Sequence, residues 1–223
     1  MNKAFNSERY KDDFKLNNLE EVRVRILLSF LPTSSTILDL GCGDGFLMEV
    51  LQSAGHHVEG VEIAENAIKK ARKKGFTVYD VSLVEKWAHV LKKKYAVVFG
   101  GEIIEHVFDT DQFLQEIRKV LKPHGMLILT TPNIASLARR VMLLLGMSPH
   151  IEVTARDYDA GHIRYFTRDT LKNLLEENGF EVLSLVSSAV NFSNNGMYYS
   201  TILATLFPSM GNNIIVCARL KKR

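Results

Sequence analysis

The chain has 223 residues, of which 46% are hydrophobic and 24% charged, with a formal charge of +3. That length suits a single domain with a substantial core, and so small a charge gives no argument for a nucleic-acid partner. Cys42 and Cys217, far apart in sequence, exclude a disulfide framework and a thiolate zinc site. The polar N-terminus and the lack of any apolar run of about 18 residues set the expectation of a cytoplasmic protein with no transmembrane segment.

Residues 16–31 have apolar side chains at helical spacing (Leu19, Val22, Ile26, Leu27, Phe30) and end at Pro32. A first strand follows at 36–40, and then glycines at alternate positions, Gly41, Gly43 and Gly45. A helical pattern begins at Phe46 and ends near Gly55. This reads as a buried strand, a tight turn and a helix start, with glycine where the backbone bends and lies close to a ligand. Asp39, just before the turn, selects the ligand. Its carboxylate would repel a dinucleotide pyrophosphate and attract the ammonium and sulfonium of S-adenosylmethionine. The run Asp39-Leu40-Gly41-Cys42-Gly43-Asp44-Gly45 resembles the first motif of class I S-adenosylmethionine-dependent methyltransferases. The resemblance places Asp39, Gly41, Cys42 and Gly43 around the methionine portion, Cys42 as a small filler of the turn. It also brings in Arg9 and Tyr10, from a segment that folds over the cofactor in many relatives; the alternative is a surface pair.

The second strand, 57–63, ends at Glu62, about twenty residues past the glycine turn, where a carboxylate accepts hydrogen bonds from both ribose hydroxyls of a nucleoside. Glu62 matches the second family motif, which puts Ile63 near the adenine. A helix over 64–74 leads to a short strand, 76–81. There the resemblance implies that Asp80 reaches the adenine amino group and Val81 offers its backbone N–H to the ring. Asp80 as a helix cap is the alternative.

Residues 83–94 read as partly helical, and 95–99 as a buried fourth strand. At its carboxyl end stand Gly100, a further cofactor-binding position, and Glu102, Glu105 and His106. Their i, i+3, i+4 spacing puts the last three on one face if the chain makes a helical turn there. With His162, far along the chain, they resemble the Glu-x-x-Glu-His plus distant His pattern of two methyltransferase subfamilies. One methylates catechol-type quinone precursors, the other the terminal ribose of small RNAs. The resemblance implies a divalent metal held by Glu102, Glu105, His106 and His162, with mixed ligands that suit Mg, Mn, Fe or Zn. Without a metal, the acids favour the dipole of the next helix and His106 is a buried, hydrogen-bonded side chain. His106, with Glu105 beside it, is the candidate general base.

A helix over 110–121, capped by Asp109 or Thr110, precedes a fifth strand, 126–131. Asn133 either orients a substrate or shapes the turn that follows. An apolar helix spans 135–145, residues 146–163 are irregular, and a capped helix covers 167–178. Two strands, 180–186 and 213–220, flank a loop-like stretch at 187–211. Alternating strands and helices predict an α/β fold with a parallel sheet. The resemblance, over residues 31–180, adds a Rossmann-like order of seven strands with the last antiparallel. One domain is expected, with 1–31 as a helical cap and 132–166 and 187–211 as substrate-side insertions. The expected function is S-adenosylmethionine-dependent methyl transfer to a small molecule, at oxygen. An RNA 3'-terminal ribose methyltransferase and a non-catalytic S-adenosylmethionine-binding module are the alternatives. The helix at 135–145 packs in the core, covers an apolar acceptor, meets a second copy in a homodimer or touches a membrane surface.

Overall fold

The computed structural model describes residues 18–149, 161–193 and 197–221, so Arg9 and Tyr10 lie outside the described residues. Helix α1 (Asn18–Phe30) precedes β1 (Thr36–Leu40), α2 (Phe46–Ser53), β2 (His57–Glu62), α3 (Glu65–Lys73) and β3 (Val78–Asp80). Then come β4 (Tyr95–Gly101), α4 (Thr110–Val120), β5 (Leu121–Pro132), α5 (Leu137–Leu144), α6 (Arg168–Glu177) and β6 (Phe180–Val186). The chain closes with β7 (Val190–Asn191), β8 (Tyr199–Ser200), α7 (Thr201–Leu206) and β9 (Asn213–Leu220). Seven strands form one sheet in the order β3-β2-β1-β4-β5-β9-β6. Strands β1 to β5 pair in parallel, and β9 is antiparallel to both β5 and β6, as expected. From β1 the chain runs outward to β2 and β3 and then returns to β4. That reversal opens a crevice at the carboxyl ends of β1 and β4, where ligands of open α/β sheets bind.

Strand periodicity sorts the core. Leu38 and Leu40 face one side with Val98, Leu129, Phe113 and Ile117. Ile37 faces the other, with Leu27 of α1, Leu51, Val97 and Ile128. Asp39 follows Ile37 by two residues, so its carboxylate lies on the face that α1 covers.

Four expectations change. Residues 83–94 contain only a 3-10 turn, Ala88–Val90. Trp87, Ala88 and Leu91 are buried, a spacing that imitates a helix, but the buried Glu116 carboxylate takes the Ala88 N–H at 2.8 Å and anchors the turn instead. Strand β5 begins at Leu121, earlier than expected, with a register irregularity opposite Tyr95 and Val97. The stretch 187–211 is not plain loop: it holds β7, β8, α7 and a 3-10 turn at Pro208–Met210. Elements this short leave no periodicity to read. Helix α5 is no core helix, for none of its residues is buried. The caps of α4 and α6 are Asp109, accepting from Gln112 N at 2.9 Å, and Thr167, in a capping box with Thr170.

Candidate active site

Gly41, Gly43 and Gly45 all have positive φ, at 72°, 56° and 83°, a region that side chains disfavour. The turn is held from both sides. Gly41 N and Cys42 N donate to the Val61 carbonyl at 2.8 and 3.1 Å. Glu62 Oε2 accepts from Gly43 N at 3.0 Å, while its Oε1 accepts from Ile63 N at 2.7 Å and Ala64 N at 2.8 Å. Glu62 therefore fastens the glycine turn to the start of α3 before any ligand arrives. Cys42 packs over Gly60, where a Cβ would come within 2.3 Å of its Sγ. Burial first, then the Asp39 and Glu62 charges, push its thiol far up, so it is an inert filler.

Between this turn and α1 lies a cavity of about 250 Å³ whose lining includes Asp39, Gly41, Gly43, Phe99, Glu102 and, from α1, Arg23. Burial, reinforced by the Glu62 charge, raises the Asp39 carboxyl to about 8. A buried carboxyl with a second carboxylate beside it fits a cationic ligand group, which would lower that value again. Arg23 is the one basic side chain among the described residues of that lining, and a ligand carrying both an ammonium and a carboxylate would find a partner for each. Nothing in the residue pattern singles out Arg23, which sits in a helix among other charged residues. Sequence-expected positions at the other end of the site do not join this cavity. Ile63, Asp80 and Val81 lie outside its lining, and Asp80 is exposed. The Val81 N–H donates to the Glu62 carbonyl at 3.3 Å, extending the β2–β3 ladder, so the expectation of a free amide there is corrected. Gly100 packs against Leu129, 2.9 Å from the position of a Cβ.

Cation binding at Asp39 has a measurable consequence. The ammonium of S-adenosylhomocysteine should expel the Asp39 proton, because the raised value falls when the cation binds. Affinity should therefore climb as pH rises toward 8, by up to about tenfold per unit, and level off above. Calorimetry across that range checks it, and Asp39→Asn should bind weakly with no such slope.

The second cluster lies beyond Glu102. The one-face arrangement of Glu102, Glu105 and His106 is corrected: Glu102 has φ 54°, which turns the chain ahead of the short 3-10 turn at Ile104–His106. The Glu102 carboxylate accepts from Thr130 Oγ1 at 2.9 Å and pairs with Arg23 at 3.1 Å. Glu105, His106 and His162 do come together, with one ligand atom from each within 4.8 Å of the others. The backbone brings His162 there. Ile163 N and Arg164 N both donate to the Glu105 carbonyl, at 3.0 and 3.1 Å, and Arg164 also donates to Val107 and Phe108 carbonyls. The His106 and His162 rings lie 4.8 Å apart. His106 Nδ1 is 3.1 Å from the Gly161 carbonyl, a contact that makes Nδ1 the donor and leaves the lone pair on Nε2. Glu105 is buried; its Oε2 accepts from Thr131 Oγ1 at 2.9 Å, and its Oε1 has no hydrogen-bond partner and faces His162 Nε2 at 3.8 Å. Burial, then the Glu102 charge, raises the Glu105 carboxyl to about 8. An unsatisfied buried carboxylate oxygen beside two imidazoles, one held by a backbone carbonyl, is a donor set that fits a divalent ion.

Asn133 is buried, and its amide donates to the Ser209 and Gly211 carbonyls at 3.0 and 2.8 Å. Of its two expected roles it takes the one of a turn residue, tying the end of β5 to the segment before β9.

The family profile described as "Methyltransferase domain" matches residues 14–185. The human mitochondrial ubiquinone biosynthesis O-methyltransferase is 32% identical over 165 residues, covering 70% of this chain and 44% of that protein. The ubiquinone biosynthesis O-methyltransferase of Pelagibacter ubique is 32% identical over 133 residues, covering 53% and 55%. The chain thus spans about half the length of the curated relatives it matches. Among solved structures, a Thermotoga maritima S-adenosylmethionine-dependent methyltransferase, a possible histamine N-methyltransferase, superposes with a TM-score of 0.67 at 19% identity, covering 90% and 89% of the two chains. A Bradyrhizobium japonicum N-methyltransferase in complex with S-adenosylhomocysteine superposes with a TM-score of 0.66 at 14% identity, covering 99% and 98%. With the fold, the glycine turn and a family match over most of its length, the chain belongs to the class I S-adenosylmethionine-dependent methyltransferase family.

Proposed function

We propose that the chain transfers the methyl group of S-adenosylmethionine to an oxygen of a small molecule. The observation that supports this most is the pairing of two different sites around one strand end. A cavity with a buried acid and an arginine suits the methionine portion, and a Glu105–His106–His162 cluster beyond Glu102 suits an acceptor hydroxyl. In this reading Asp39 holds the ammonium, Arg23 the carboxylate and Glu62 the ribose, while Asp80 marks the adenine end. The sulfonium already activates the methyl group, so the protein aligns donor and acceptor and excludes water. His106 Nε2 takes the acceptor proton as general base, held in that tautomer by Gly161. Glu105 and His162 position it. A divalent ion bound by Glu105, His106 and His162 would lower the pKa of a coordinated hydroxyl.

Among the described residues no helix is long and apolar enough to cross a membrane. Both cysteines are unpaired and buried, which supports a reducing compartment such as the cytoplasm. The identity of the acceptor class follows the curated relatives, whose names place them in ubiquinone biosynthesis as O-methyltransferases. Small phenols with vicinal hydroxyls are the first acceptors to try. Incubation with methyl-labelled S-adenosylmethionine should yield a labelled aryl ether, identified by mass spectrometry. Label on nitrogen or carbon acceptors only, with none on oxygen, would reject the oxygen assignment.

A further inference from the structure

Arg23 and Glu102 both line the cavity between α1 and the glycine turn, one from α1 and one from just past the end of β4. Arg23 Nη1 lies 3.1 Å from Glu102 Oε1, and its Nη2 lies 3.7 Å from Glu20 Oε1. The first pair links the helix that covers the cavity to the strand end that leads to the Glu105 cluster. Glu102 reaches it from a backbone that few side chains accept. Its φ is 54°, and its N–H donates to the Thr130 carbonyl at 3.0 Å. A left-handed residue that is not glycine, at the rim of a site, is held there by its surroundings and points to a use for its side chain.

Glu102 presents to Arg23 the same group that an amino-acid ligand would present, a carboxylate. Arg23 carries a single charge and already faces two acids. A ligand carboxylate would be the third, and like charges crowded into one site disfavour one another. Glu20 sits one turn away on the same helix and travels with Arg23. Glu102 belongs to another element and has a second holder, because Thr130 Oγ1 donates to the same Oε1 at 2.9 Å. Its side chain is 36% exposed, so Thr130 and water receive the charge when Arg23 leaves. The acid that gives way is therefore Glu102.

We propose that Glu102 is an internal competitor for the cofactor carboxylate: Arg23 pairs with Glu102 in the empty cavity and with the carboxylate of S-adenosylmethionine in the filled one. This rests on the assignment of the cavity to S-adenosylmethionine made above. Competition bears on turnover. S-adenosylhomocysteine keeps the carboxylate and ammonium of the methyl donor, so contacts to those groups hold the product as firmly as the substrate. An acid that competes for Arg23 loosens that hold and favours product release.

Calorimetry of the full chain in the presence of chelator, so that no divalent ion contributes, tests the exchange. Glu102→Gln keeps the shape of the side chain and removes its charge. S-adenosylhomocysteine should bind this variant about two- to fivefold more tightly than wild type, the range of a part-exposed ion pair. Glu102→Gly, which suits the left-handed backbone, should tighten binding likewise. Decarboxylated S-adenosylhomocysteine, which keeps the ammonium, should gain nothing from either substitution. In an Arg23→Gln background the gain for S-adenosylhomocysteine should vanish. Thermal melts check that each variant is folded. If both folded variants bind S-adenosylhomocysteine no more tightly than wild type, the exchange is overturned and the cofactor assignment stands. A gain shared equally by the decarboxylated ligand overturns it too. A wild-type chain that binds neither ligand defeats the cofactor assignment, and the exchange with it.

Discussion

Glu62→Ala is expected to abolish measurable S-adenosylhomocysteine binding and to destabilise the fold at the same time. From the sequence, Glu62 is a ribose ligand alone, and its loss would then cost about 1–3 kcal/mol of binding, the usual value for a hydrogen bond to a charged group. The structure adds a second role. The carboxylate accepts from Gly43 N, Ile63 N and Ala64 N, all at a buried strand end. Alanine leaves those donors without an acceptor, and an unsatisfied buried group costs about 1–3 kcal/mol. The turn that carries Gly41 and Gly43 is then no longer fixed to α3, so the ligand loses the ribose contact and the turn together. Glu62→Gln separates the roles. Its amide oxygen keeps the bonds to Ile63 and Ala64, but its NH2 group faces the Gly43 N–H, donor against donor. Thermal melts should fall most for alanine and less for glutamine. Calorimetry should find no binding to the first and weakened binding to the second. An alanine variant with wild-type melting would show that the three bonds contribute nothing to the turn.

His106→Ala is expected to lower methyl transfer by about 10²- to 10⁴-fold, the range for a positioned general base, with cofactor affinity unchanged. Its ring lies in the cluster with Glu105 and His162, outside the lining of the cavity with Asp39. Acid loss of activity should follow protonation of the cluster, so the acidic limb of the pH–rate profile should flatten in the variant. Chelator distinguishes two forms of the same site. With a bound ion, chelation stops turnover and readdition restores it; with His106 acting alone, chelator does nothing. A His106→Ala enzyme with full activity and an unaltered pH profile would remove His106 from the chemistry.

Much of this architecture was legible in the residues. Asp39 and the alternating glycines announced a strand, a turn and a helix, and all three glycines take the left-handed conformation that only glycine adopts freely. His162 stands fifty-six positions from His106 in the chain, and backbone bonds from Ile163 and Arg164 to Glu105 explain why the two meet. What stayed hidden depends on tertiary contacts. Arg23 looks like any charged helix residue until α1 folds over β1. The three bonds at Glu62 come from backbone groups, which every residue carries and no motif reveals. Glu102 leaves the face of Glu105 and His106 because its backbone turns left-handed, a choice that residue spacing does not encode. Helix α5 read as a possible core element because an apolar stripe looks the same whether it is covered or bare.

The central claim is that the cavity between α1 and the glycine turn is built for S-adenosylmethionine. Calorimetric titration of the full chain with S-adenosylhomocysteine and, separately, with NADH tests it most directly. The account predicts saturable binding of S-adenosylhomocysteine, weakened by Arg23→Gln and by Asp39→Asn, and none of NADH. Saturable NADH binding with no response to S-adenosylhomocysteine would contradict it.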